Sequence, residues 1–68
     1  MMTRREASRE VFTRWGRALI FYRSRNGRHV ISDVGPRRML VPVGEGASWR
    51  EACDAAERYR QAAARAAR

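Results

Sequence analysis

A chain of 68 residues makes one domain with a thin core, because a protein of this size buries only about 60% of its unfolded surface. Fifteen arginines and no lysine stand against seven carboxylates, for a formal net charge of +8 and a pI of about 11.6. That balance favours polyanionic partners over anionic small-molecule chemistry. The single Cys53 excludes an intrachain disulfide, and no apolar run exceeds Ala18 to Tyr22, far short of a membrane span. A cytoplasmic protein without a membrane partner is expected, nucleoid-associated if it binds DNA.

The charge is uneven. Residues 1–30 carry a net +6, residues 31–47 are neutral and residues 48–68 carry +2. The basicity belongs to the front half, where arginines alternate with aromatic and branched residues around Asn26-Gly27.

In chain order, Thr3 followed by Glu6 has the spacing of a capping box, and Gly16 has the character of a helix stop. Ala7, Val11 and Trp15 recur at helical spacing between them, predicting a helix over about 4–15. The competing reading is a disordered basic arm that runs into a strand from Val11. Arg17 to Arg25 and Arg28 to Val34 are rich in strand-favouring residues, and the intervening Asn-Gly predicts a hairpin with a two-residue loop. That loop pairs Arg23 with Val30 and Phe21 with Ser32, gathering Arg17, Leu19, Phe21, Arg23, Arg25, Arg28 and Val30 on one face. Ile20, Tyr22 and Ile31 then fall on the other, which is expected to receive the C-terminal helix. After Gly35-Pro36, residues 38–43 predict a third strand, with Pro42 near its end or on an edge. Gly44-Glu45-Gly46 reads as a turn. Ser48 with Glu51 makes a second capping box opening a helix over about 49–66, with a stripe of Trp49, Ala52, Cys53, Ala56, Tyr59 and Ala63. The fold class is thus α+β: a single domain over 1–68, with a three-stranded antiparallel sheet, a C-terminal helix on it and a short N-terminal helix.

Chemistry for catalysis is sparse. Cys53 sits on an apolar stripe, His29 is the only histidine, and the carboxylates are scattered among arginines, so no enzyme, cofactor or metal site is expected. Arginine instead offers a planar fork suited to phosphate, guanine edges or carboxylates. The expected site is the arginine-bearing sheet face, Arg17, Phe21, Arg23, Arg25 and Arg28, with His29 at the strand start and Arg37 and Arg38 where the third strand begins. DNA is expected before RNA, with a ribosome- or RNA-associated basic protein as a further alternative, because the absence of an RNA-recognition signature does not by itself distinguish the two.

Ala18-Leu19-Ile20-Phe21-Tyr22-Arg23, the Asn26-Gly27 turn and Ser48-Trp49-Arg50-Glu51-Ala52 together resemble the AP2-like, three-stranded arm-binding domains of phage and transposon tyrosine integrases. The resemblance implies that the sheet face away from the helix reads the DNA major groove, through Arg17, Phe21, Arg23, Arg25 and Arg28. The chain departs from that pattern in its longer, proline-containing connection from Val41 to Ser48 and in the helical region before Gly16. Size and charge also fit a different class, a small inhibitor or adaptor of the anti-CRISPR kind that docks on an acidic protein or a nucleoprotein complex. A dimer, through the small-residue stripe of the C-terminal helix or a free sheet edge, is open as well.

Overall fold

The computed structural model describes residues 1–67. Helix α1 spans Arg4–Trp15, strands β1, β2 and β3 span Ile20–Arg23, His29–Val34 and Leu40–Gly46, and helix α2 spans Trp49–Ala66. The sheet is antiparallel in the order β1-β2-β3. Both helices lie on one face of it, and the α+β architecture is the expected one.

The helix ends follow their local chemistry. The Thr3 backbone N–H donates to Glu6 Oε1 at 2.9 Å and the Glu6 N–H returns to Thr3 Oγ1 at 3.1 Å. Two of the N–H groups at the helix start are thereby satisfied. Gly16 closes α1 at φ 73°, its N–H donating to the Phe12 carbonyl. The basic-arm alternative for this region is therefore replaced by a capped helix. In α2 only half of the expected box forms: Glu51 N–H donates to Ser48 Oγ at 3.2 Å, but the Glu51 carboxylate accepts from Ala47 N–H at 3.5 Å.

The hairpin differs from expectation by one residue. Ile20 pairs with Ser32, Phe21 with Ile31, Tyr22 with Val30 and Arg23 with His29. The loop holds Arg25, Asn26 and Gly27: Gly27 N–H donates to the Ser24 carbonyl at 3.0 Å and Ser24 N–H to the Arg28 carbonyl at 2.9 Å. Asn26 does not enter the left-handed region, whereas Gly27 takes φ 79°. This is a type I turn closed by a left-handed glycine, not the two-residue turn that Asn-Gly suggests. Because side chains alternate with period two, the slip brings Phe21 and Ile31 onto the same face.

That face is the core. Leu19, Phe21, Ile31 and Val43 from the sheet pack with Ala7 and Val11 of α1 and Ala52, Cys53 and Ala56 of α2. Phe21 meets Trp49 with ring centroids 5.7 Å apart, and Trp15 stacks on Tyr59 at 6.3 Å. A bulge between Ile31 and Ser32 of β2 and residues 42–44 of β3 turns Val43 inward beside Gly44. Pro42 lies on this edge strand, where its missing N–H is tolerated.

Gly44 and Gly46 belong to β3 and not to the expected turn, and the reason is the approach of α2. A Cβ on Gly44 would stand 2.7 Å from Ala56 N and 2.9 Å from Ala56 Cβ, and would also strike the Ala52 carbonyl oxygen. On Gly46 it would meet Glu51 Cβ and come within 3.0 Å of Ala52 N. The small residues of α2 are thus used inside the monomer, which removes most of the stripe from any dimer contact. The stripe also ends sooner than its periodicity suggests, since Tyr59 and Ala63 are exposed.

Burial explains Cys53. Its Sγ lies 3.9 Å from both the Ala7 carbonyl oxygen and Met2 Sδ, and desolvation pushes the thiol up to about 11. Ion pairs clamp the two helices together: Arg14 to Glu57 at 2.8 Å and Arg50 to Glu10 at 3.0 Å. Asp54 pairs with Arg50 at 3.4 Å instead of with Arg58.

Two expectations follow. Gly44→Ala must displace α2 and loses about 2 kcal/mol, a fall in Tm of roughly 8–16 °C by calorimetry. Hydrogen bonds from Arg60, then Arg14, hold the Glu57 carboxyl below its ordinary range. Its stabilisation is therefore complete above the unfolded carboxylate value of about 4.3 and is lost as pH falls through the lower folded value. Tm should be flat from neutrality to about pH 5 and then fall, with a shallower acid limb in Glu57→Gln.

Candidate nucleic-acid interface

The sheet has one covered and one open face. Residues that pair directly share a face, so Ile20, Tyr22, Val30, Ser32, Val34, Leu40, Pro42 and Glu45 lie on the side away from the helices. Val30 and Ser32 are nevertheless buried by their neighbours on the central strand, and the Ser32 hydroxyl contacts Tyr22 Oη at 3.4 Å. At the edges the apolar side chains are bare: Ile20 is 42% exposed, Leu40 49% and Val34 52%, with Met39 beyond them at 65%.

The residues expected to form the site are divided by this register. Phe21 is withdrawn from it, 5% exposed inside the core. His29 sits on the covered side, edge-on to Trp49 at 4.6 Å, with Nδ1 buried and without a hydrogen-bond partner. Arg17 pairs with Asp33 and lies 5.3 Å over the Trp15 ring, on the helical side. Arg23 folds back on its own turn, donating from Nε and Nη2 to the Gly27 carbonyl at 3.2 and 3.0 Å. Arg28 does lie on the open side, in an exposed pair with Glu45 at 3.5 Å. Exposed pairs of this kind are weak and exchange readily. Arg25 is exposed at the tip of the first hairpin, and Arg37 and Arg38 are exposed at the tip of the second.

The open-face residues Ile20, Tyr22, Val34 and Leu40 were not among those expected in the site. Ser24 at the first position of a turn and Gly27 at the fourth carried the signal for a three-residue loop, and hence for this face.

The second tip has unusual backbone. Gly35 N–H donates to the Met39 carbonyl at 2.7 Å, so Pro36, Arg37 and Arg38 form the loop rather than the start of a strand. Arg37 and Arg38 have φ 59° and 60°, left-handed values that disfavour any residue bearing a Cβ by roughly 1–2 kcal/mol. Neither makes an ion pair among the described residues.

The carboxylates are meanwhile used within the fold. Glu10, Asp33, Glu45, Asp54 and Glu57 take arginines, while Glu6 and Glu51 accept from backbone N–H groups at the two helix starts. Thr3 holds the Glu6 carboxyl below its ordinary range through its backbone N–H and then its hydroxyl. The outward field is left to arginine. No helix among the described residues is long and apolar enough to cross a membrane.

Comparison with protein families, with curated proteins and with solved structures finds no match to this chain.

Replacing Arg37 or Arg38 by glycine relieves the left-handed strain, offset in part by glycine's greater freedom in the unfolded chain. Each single substitution should raise stability by about 0.5 kcal/mol, or roughly 2–4 °C in Tm. An unchanged or lower Tm in both would mean that the tip is not strained.

Proposed function

We propose that the protein is a non-enzymatic binder of duplex DNA that seats the open sheet face in the major groove and holds the flanking phosphates with its hairpin-tip arginines. The observation that carries this reading is the pair Arg37 and Arg38, left-handed and without ion-pair partners among the described residues, beside an open sheet face. Strain of this kind persists where function requires the side chain. The two tips lie beyond opposite ends of β2, a strand that runs about 17 Å over its five steps. A major groove about 12 Å wide admits a β-ribbon and offers phosphates on either side. Ile20, Val34 and Leu40 supply apolar contacts of the kind that fit thymine methyl groups. The deep, narrow major groove of A-form RNA would not receive such a face, which favours DNA.

A second reading rests on the same bare apolar residues. Ile20, Val34, Met39 and Leu40 resemble a protein-docking patch more than a phosphate contact. On that reading the protein is a small inhibitor or adaptor, similar in kind to anti-CRISPR proteins, that lays this face on an acidic protein or nucleoprotein complex.

Fluorescence anisotropy with duplex DNA, single-stranded DNA and RNA across a salt series separates the two. The DNA reading expects preference for duplex and an affinity that falls steeply with salt. Arg37→Glu with Arg38→Glu should weaken binding at least tenfold and flatten the salt slope by about 2. Binding that is weak, indifferent to the nucleic acid and lost near physiological salt would set the DNA reading aside in favour of a protein partner.

A further inference from the structure

The outer side of α1 is a second basic surface. Arg4, Arg5, Ser8, Arg9, Phe12 and Thr13 line a concavity of about 630 Å³. Ala7 and Val11 turn one side of the helix into the core, Arg4 lies at the border of that side, and Arg5, Arg9 and Phe12 lie further round the helix, exposed. This surface belongs to the helical layer, whereas the open sheet face lies on the other side of the sheet.

Its composition works against the helix that carries it. Arg4 and Arg5 occupy the first turn, where the macrodipole favours anions, and the one acid there, Glu6, is held by the cap. Arg5 and Arg9 are like charges one turn apart and repel each other. Arg4 donates to the Phe21 carbonyl at 2.7 Å, but neither Arg5 nor Arg9 makes an ion pair among the described residues, and the Glu6 carboxylate near Arg9 is engaged by the cap. Phe12 stands 56% exposed beside them. An anionic polymer laid along this groove would satisfy both guanidinium groups and offset the dipole, with sugar or base edges against Phe12.

Resting on the DNA reading above, we infer that α1 is a second phosphodiester-binding surface, so that one protein molecule holds two duplexes on opposite sides and bridges them. The folded body measures 35 × 25 × 17 Å, and two layers of structure separate the duplexes.

The test uses the full chain. A biotinylated duplex on beads is loaded with protein, a fluorescent duplex is added, and its retention is read at low salt. Anisotropy with a single duplex is measured in parallel. The wild type should retain the second duplex. Arg5→Glu with Arg9→Glu should abolish retention while changing single-duplex affinity by less than about threefold, since the sheet site is intact. Its Tm should be unchanged or higher, because acids suit the first turns of a helix, so a loss of capture does not report misfolding. Arg58→Glu with Arg65→Glu alters the net charge equally and should still retain the second duplex.

Retention undiminished in the Arg5/Arg9 variant would overturn the inference and leave bridging to a protein dimer. So would a wild type that binds one duplex and captures no other, with the DNA reading intact. Loss of single-duplex binding as severe as in the Arg37/Arg38 variant would mean one continuous site and would also overturn it. Absence of any duplex binding by the wild type removes both readings together.

Discussion

The architecture depends on how closely α2 can approach β3. Gly44 and Gly46 leave no side chain between strand and helix, and Ala52 and Ala56 answer them with the smallest side chains that still exclude water. Helix and strand therefore meet almost backbone to backbone. A chain this short cannot separate its layers with large side chains and still fill the space between them. Small residues at the seam solve this and let the few large ones, Phe21, Ile31, Trp15 and Trp49, close the remainder of the core. The β3 bulge serves the same end by turning Val43 inward next to Gly44.

Electrostatics follows from the seam. Once α2 is seated, its acids and arginines lie beside those of α1, and Glu10 and Glu57 become clamps. Other carboxylates are occupied by the helix starts and by Arg17 and Arg28. The net charge of +8 is thus carried largely by arginines that make no ion pair among the described residues, at the hairpin tips, on α1 and, as Arg58 and Arg65, on the exposed side of α2. Such a distribution opposes folding through self-repulsion and helix-dipole conflict.

The candidate site shows how strongly a face assignment depends on one residue of loop length. With a two-residue loop, Phe21 and four arginines would have shared the outward face; with three, Phe21 becomes core and Ile20 and Tyr22 face out. Hydrophobicity alone does not separate these outcomes, because residues 19–22 are apolar on both sides of the strand. Helix packing chooses between them: Leu19, Phe21 and Ile31 fill the space above the alanine seam. Arg25, Arg28, Arg37 and Arg38 remain on tips or the open face in either register, since turn positions are less affected by a slip.

The sequence by itself determined both helices and their approximate bounds, their Ser and Thr caps, the Gly16 stop, the three antiparallel strands and the burial of Cys53. All of these rest on interactions within a few positions of chain, where capping hydrogen bonds and helical periodicity are local. Tertiary structure decided between the two hairpin registers that Asn26-Gly27 and Ser24 with Gly27 each allow locally, and it decided the place of Gly44 and Gly46 inside a strand, the early end of the α2 stripe, and the withdrawal of Phe21 and His29 from the surface. Each of these depends on which atoms meet across the helix–sheet seam, a long-range fit that no local pattern of residues encodes.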